Sequence, residues 1–288
     1  MARHQLILLL ISCVLFQLAC VADAFVRIGG GSAVTEPKRA PKVNLKAGEL
    51  PTKAKKDRSY VGVAPLEDLL ETEPKGKTEM KNRALRAKFL SEHVDLGSYN
   101  RRCYLDLGAR TFSSSILWFK NHYPRFQEGN FSITAFEADP SFSAEYEKHP
   151  EVNYHNNAAW VRNETLTFSG FMGHVDHDAN PNAKKAKDRR SKQRAFSVQA
   201  VDMADFLMRT YTVDDFVVLK MDIEGAEYEV VPKILQTGAV ELIDEMFLEG
   251  HTVKLNKIGG ITKGHVYSEV VALLQALRDN GVYAHEWF

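Results

Sequence analysis

From residue 103 onward, short apolar runs alternate with segments of helical period, and this alternation constrains the fold more than any other feature of the chain. Strand character is expected at 103–107, 131–136, 152–155, 165–171, 216–221, 245–249 and 281–287. Helical character is expected at 113–123, 141–148, 204–209, 226–236 and 267–279. Strands and helices in that order call for an α/β fold, a parallel sheet with helices on both faces. Right-handed crossovers bring the carboxyl ends of such strands to one edge of the sheet. Ligands bind outside that edge.

The polar residues that interrupt the apolar runs stand at the strand tips. The first tip reads Asp106-Leu107-Gly108-Ala109. Gly108 permits a tight turn and close backbone approach, and Asp106 can accept from a ligand ammonium group. The second, Phe136-Glu137-Ala138-Asp139-Pro140, ends in a carboxylate suited to a bidentate grip on ribose hydroxyls, although a charge at a helix N-terminus reads equally well. The third supplies Asn156 and Asn157, either adenine-edge donors or a plain turn. In the fourth, Leu219-Lys220-Met221-Asp222-Ile223-Glu224-Gly225-Ala226-Glu227, an apolar strand broken only by Lys220 stops at a cluster of acids. Acids at a strand tip are costly unless a partner uses them.

In order and spacing, these four blocks resemble the FkbM-type methyltransferase signature, and Val201-Asp202-Met203-Ala204-Asp205-Phe206-Leu207 matches the segment that precedes the fourth strand in that family. The resemblance covers about 103–251 and is closest to plant methyltransferase-like proteins with an N-terminal hydrophobic segment. It implies a Rossmann-like class I methyltransferase sheet over 77–288. It also implies S-adenosyl-L-methionine as cofactor and a hydroxyl of a glycan or small metabolite as acceptor. By resemblance, Asp106 and Gly108 sit near the methionine part, Glu137 holds the ribose and Asn157 lies by the adenine. Asp222, Glu224 and His251 become candidates for base or orienter, since methyl transfer relies on in-line positioning and removal of a hydroxyl proton. Two departures stand out. The loop Gly108-Ala109-Arg110-Thr111-Phe112-Ser113-Ser114 lacks the usual second glycine, so Arg110 and Phe112 must point away from the cofactor. The antiparallel strand that normally closes such a sheet is not expected after 281–287.

The amino end differs in kind. Arg3 and His4 precede an uncharged run from Leu6 to Val21, and Ala22-Asp23-Ala24 follows. Residues 1–24 read as a secretory signal peptide cut before Phe25, with an uncleaved anchor as the alternative. Delivery to the endoplasmic reticulum or Golgi lumen, or secretion, is expected, and membrane association through this segment is the variant. Between Phe25 and Tyr60 stand nine Lys or Arg against three acids. Residues 25–76 read as a basic disordered linker, with a docking segment near 61–70. A helix over 77–94, with Met80, Leu85, Phe89 and Leu90 on one face, leads into the domain.

The formal net charge is zero, which gives no pointer to nucleic acid. Of three cysteines, only Cys103 lies in the body of the chain, where it reads as a buried strand residue. Asn130-Phe131-Ser132 and Asn163-Glu164-Thr165 are N-glycosylation triplets. The donor-rich His174-Val175-Asp176-His177-Asp178 lacks fixed ligand spacing, and no metal is assigned. The run Lys184–Arg194 reads as a solvated loop or a lid over an acidic glycan. Two other readings compete with the enzyme. One is a non-catalytic binding or interaction module on the same fold. The other, an NAD-dependent oxidoreductase, is disfavoured because no G-x-G-x-x-G follows the first strand.

Overall fold

The computed structural model describes residues 56–62, 64, 66–70, 72, 88–168, 196–252 and 265–287. At its centre lies β7 (Asp215–Met221), buried at every position. A strand covered on both faces reads as a near-continuous apolar run, as Phe216–Leu219 does within this one. Around it the strands lie in the order β3-β2-β1-β7-β8-β9, formed by Val152–His155, Ser132–Phe136, Arg101–Leu107, Asp215–Met221, Glu245–Leu248 and Tyr283–Glu286. Every pairing in this sheet is parallel. Numbered within the sheet, the order is 3-2-1-4-5-6, that of doubly wound α/β folds, and it reverses direction between β1 and β7. Among the described residues no antiparallel strand joins this sheet.

Alternation along the strands divides the core in two. Cys103, Leu105, Leu107, Val217, Leu219 and Met221 face one side, under α3 (Met203–Thr210), α4 (Glu227–Gln236) and α5 (Tyr267–Asp279). Tyr104, Phe216, Val218 and Phe247 face the other, under α1 (Ile116–His122) and α2 (Ser143–Tyr146). Helices thus cover both faces, and Cys103 is 2% exposed, as its apolar neighbours imply.

A second sheet, β4-β6-β5, is built from Ala158–Trp160, Phe196–Asp202 and Glu164–Phe168. The sequence reading anticipates β5 but neither β4 nor β6. In β6 exposed Ser197 and Gln199 alternate with buried Val198 and Ala200, so no apolar run announces it. The charged insertion that holds His174–Asp178 and Lys184–Arg194 lies outside the described residues, as do the leader and most of the expected linker.

Two boundaries change. The helix expected over 77–94 does not reach its end: Phe89 is extended and Leu90–Glu92 is a 3-10 turn, held because the Leu90 amide donates to the buried Glu245 carboxylate at 3.0 Å. Residues 73–87 lie outside the described set. The linker reading fails for the described residues from Lys56 onward. Lys56 is buried against Asp244 at 2.5 Å, Arg58 donates to the Val240 carbonyl at 3.0 Å, and Glu67 meets His285 at 2.9 Å. Among the described residues, packing against the domain starts at Lys56, ahead of the boundary expected at 77. Among the described residues no helix is long and apolar enough to cross a membrane.

Candidate active site

Register sets the first contact. Asp106 on β1 and Lys220 on β7 are direct partners in the parallel ladder, so their side chains leave the same face side by side. Lys220 Nζ lies 3.4 Å from Asp106 Oδ1 and 3.3 Å from Asp222 Oδ2, and it donates to the Gly108 carbonyl at 2.9 Å. Burial alone would lower the Lys220 pKa, but the carboxylates of Asp106, Asp222 and Glu249 outweigh it and hold the ammonium charged. Asp106 is fully buried, and its Oδ2 accepts from Ser115 and from Tyr104. Its link to the cleft therefore runs through Lys220, while Oδ1 has no hydrogen-bond donor.

Gly108 has φ +79, and a Cβ there would fall 1.7 Å from the Asp222 carbonyl oxygen. The absence of a side chain is required where the tips of β1 and β7 touch, a reason independent of any ligand. Beyond it Arg110 takes φ +51 and is exposed, while Phe112 is buried and stacks on His149 at 3.7 Å. Phe112 therefore packs away from the strand tips, whereas the Arg110 charge is felt by Glu224 at the tip of β7.

Glu137, at the tip of β2, is half-buried. Its carboxylate accepts from the Arg110 amide at 2.8 Å and the Asp139 amide at 2.7 Å, which ties the two loops together. Burial raises its pKa, opposed by those two donors. A carboxylate offers about four acceptor sites, so room for two further donors remains. Asn156 is spent on the Glu137 and Ala138 carbonyls. Asn157 donates to the Gln199 carbonyl at 3.0 Å, at the tip of β3 beside the second sheet.

The other three candidates converge. Asp222, Glu224 and His251 each place a donor atom within 4.8 Å of the others. His251 follows β8, where its carbonyl accepts from Tyr228 at 2.9 Å. Its Nδ1 lies 3.0 Å from Glu227 Oε1, and its Nε2 lies 3.4 Å from Glu224 Oε2 and 3.7 Å from Asp222 Oδ1. Burial lowers the His251 pKa, but Glu227, Asp222 and Glu249 outweigh it and raise it to about 10. For Asp222 burial pushes upward, yet Lys220 and His251 prevail and hold it below the usual range. Glu224 goes the other way, raised by burial against the pull of His251. It also adopts φ +56, a conformation that costs a non-glycine residue about 1–3 kcal/mol and clusters at functional sites.

Sequence reasoning thus names the strand-tip acids and His251, and the structure brings Asp222, Glu224 and His251 together. Asp106 and Gly108 join them through Lys220 and the Asp222 backbone, Glu137 through the Arg110 loop, and Asn157 stands apart. The roles of Lys220 and Glu227 escape it. The signal for Lys220 is a lone cation two residues before Asp222, placed by strand alternation on the same face as Asp106. For Glu227 no local signal exists, because its partner lies 24 residues away.

A family model described as "Domain of unknown function (DUF7870)" matches residues 63–167 and 176–288. No curated protein and no solved structure matches the chain.

Proposed function

The chain belongs to the DUF7870 family, and we propose that it is an S-adenosyl-L-methionine-dependent methyltransferase of class I architecture, similar to the FkbM type. The acceptor would be a hydroxyl on a glycan or small metabolite. One observation carries the reading. Glu137, Gly108 and Asp222, at the tips of three adjacent strands, flank the point where the strand order reverses, and Glu137 is held there with acceptor capacity to spare. Crevices at that point are where such sheets bind nucleoside ligands.

The residues present fit the cofactor on its ribose side. Glu137 would take the ribose hydroxyls, and Asn157, on the next strand, stands on the side where the adenine would lie. Lys220, fixed by Asp106, would position the Gly108 carbonyl beside the methionine part. The bound cofactor supplies an electrophilic methyl group on a sulfonium. Asp222 and Glu224, each partly exposed, would accept a hydrogen bond from the acceptor hydroxyl and hold it in line. His251 fixes both carboxylates.

A non-catalytic binding module is the second reading. It draws support from the complete burial of Asp106 and from the two amides already held by Glu137. In either case the proposal includes entry to the secretory route through residues 1–24. The exposed side chains of Asn130 and Asn163 are compatible with glycosylation there.

Calorimetric titration with S-adenosylhomocysteine tests the reading, with NAD run in parallel. Heat from the first and none from NAD is expected, with loss of at least ~10-fold in affinity in Glu137→Ala, in line with the removal of a buried bidentate contact worth about 1.5–3 kcal/mol. No heat at millimolar S-adenosylhomocysteine would overturn it. Methyl transfer lost in Asp222→Asn with binding intact would decide against the non-catalytic module.

A further inference from the structure

We infer that Asp222, Glu224 and His251 form a binding site for one divalent cation of the manganese or zinc kind. The inference does not rest on the methyltransferase reading. It begins with the orientation of the His251 ring. Glu227 Oε1 accepts from the Ile223 amide at 2.8 Å and lies 3.0 Å from His251 Nδ1. An ionised carboxylate can only accept, so Nδ1 carries the hydrogen. Nε2 then faces outward at Glu224 Oε2 and Asp222 Oδ1, two further acceptors, from a side chain only 9% exposed. A proton on Nε2 can serve both carboxylates, and a divalent ion would displace that proton and take its place at the centre of the three atoms.

The spacing suits a metal. With bonds of about 2.1 Å, neighbouring ligand atoms stand about 3.0 Å apart in an octahedral site and about 3.4 Å apart in a tetrahedral one. Two edges of the triangle, at 3.4 and 3.7 Å, are already near those values, and the third lies within 4.8 Å. The second oxygen of Asp222 is engaged by Lys220, which turns Oδ1 toward His251. Metal-ligating histidines almost always give their other nitrogen to a carboxylate, which fixes the tautomer and ring orientation. Glu227, fully buried and with its Oε2 free of hydrogen-bond donors, is placed for that role. One imidazole and two carboxylates select a borderline divalent ion over a purely oxygen-seeking one. Three protein ligands leave positions open for water or a substrate oxygen.

Titration of the purified full chain with Mn²⁺, followed by the paramagnetic resonance of the free ion, tests this directly. One ion per chain is expected. Glu224→Gln and Glu227→Gln should each weaken binding about 10–100-fold, the range for ligand-supporting changes. Circular dichroism of each variant establishes that it is folded. The paired change His174→Ala, His177→Ala should leave the affinity unaltered. Absence of binding at millimolar Mn²⁺ overturns the inference. So does binding that survives Glu224→Gln or vanishes with His174→Ala, His177→Ala. A chain that binds Mn²⁺ but not S-adenosylhomocysteine would refute the proposed function and leave this site standing.

Discussion

Lys56 should carry a large share of the stability, although by sequence it belongs to a basic linker. Its ammonium meets Asp244 at 2.5 Å, and the two side chains are 1% and 0% exposed. Asp244 also accepts from the Val217 amide at 2.7 Å and from Tyr60 at 3.4 Å. Lys56 further donates to the carbonyls of Asp215 and Leu242. Burial lowers the Lys56 pKa and raises that of Asp244, in each case against the pull of the partner. Both shifts run toward the uncharged form, so desolvation outweighs attraction and the pair as a whole adds little. Removing one half is different, because a buried charge is left alone. Lys56→Met should therefore cost about 3–5 kcal/mol. At about 2–4 °C per kcal/mol for a domain of this size, the melting temperature should fall by roughly 6–20 °C. The double variant Lys56→Met/Asp244→Asn should recover to within about 2 kcal/mol of the parent, because the asparagine amide can donate to the carbonyls that Lys56 served. Urea unfolding followed by far-ultraviolet circular dichroism measures all three. If Lys56→Met lies within ~0.5 kcal/mol of the parent, as an exposed substitution would, the docking of residues 56–70 is wrong. A double variant as unstable as the single one would show that the cost does not come from an abandoned charge.

Gly108→Ala should cost about 4 kcal/mol or more, since its Cβ would meet the Asp222 carbonyl at 1.7 Å on a backbone with φ +79; a parent-like urea midpoint would refute the contact between the β1 and β7 tips. His285, whose Nδ1 and Nε2 face Glu67 and Glu245 at 2.9 and 3.0 Å, needs both hydrogens and has its pKa raised from 6.5 to about 9, burial being outweighed by those two acids. Its contribution of about 3 kcal/mol is full below pH ~6.5 and disappears as pH rises through 9, so unfolding free energies should fall across that window more steeply in the parent than in His285→Gln, and parallel curves would refute it.

The central sheet was legible because buried parallel strands write themselves as apolar runs. The predicted 216–221 appears as Asp215–Met221, the predicted 152–155 as Val152–His155, and the helix 267–279 within the same bounds. The second sheet was not, because β6 shows only alternation next to a charged insertion. Residues 56–70 misled for another reason. Lys56 and Arg58 count as solvated charge in any composition argument, yet Lys56 pairs with the Asp244 carboxylate and Arg58 donates to the Val240 carbonyl, each more than 180 residues away. Local sequence carries no trace of such partners. Gly108 shows a third kind of limit: its position was readable, but its reason, the approach of the Asp222 carbonyl, needs the β1–β7 register.

Charge at the switch point bears on which ligand the crevice suits. A dinucleotide brings a pyrophosphate, and folds that bind it present backbone amides and a helix N-terminus free of nearby acids. Here the amides of Gly108 and Ala109 are both spent on the Phe136 carbonyl, and that of Arg110 on Glu137. The groups gathered at the adjoining tips are Asp106, Asp222, Glu224, Glu227 and Glu249, with Lys220, His251 and Arg110 as the cations that act on them. An added pyrophosphate would face net repulsion there, with the amides that might offset it already engaged. A sulfonium or a divalent ion would instead supply the positive charge that these carboxylates lack. The same strand order that is compatible with an oxidoreductase therefore comes with an electrostatic lining that opposes one, and the parallel titrations with S-adenosylhomocysteine, NAD and Mn²⁺ separate the cases by charge as well as by shape.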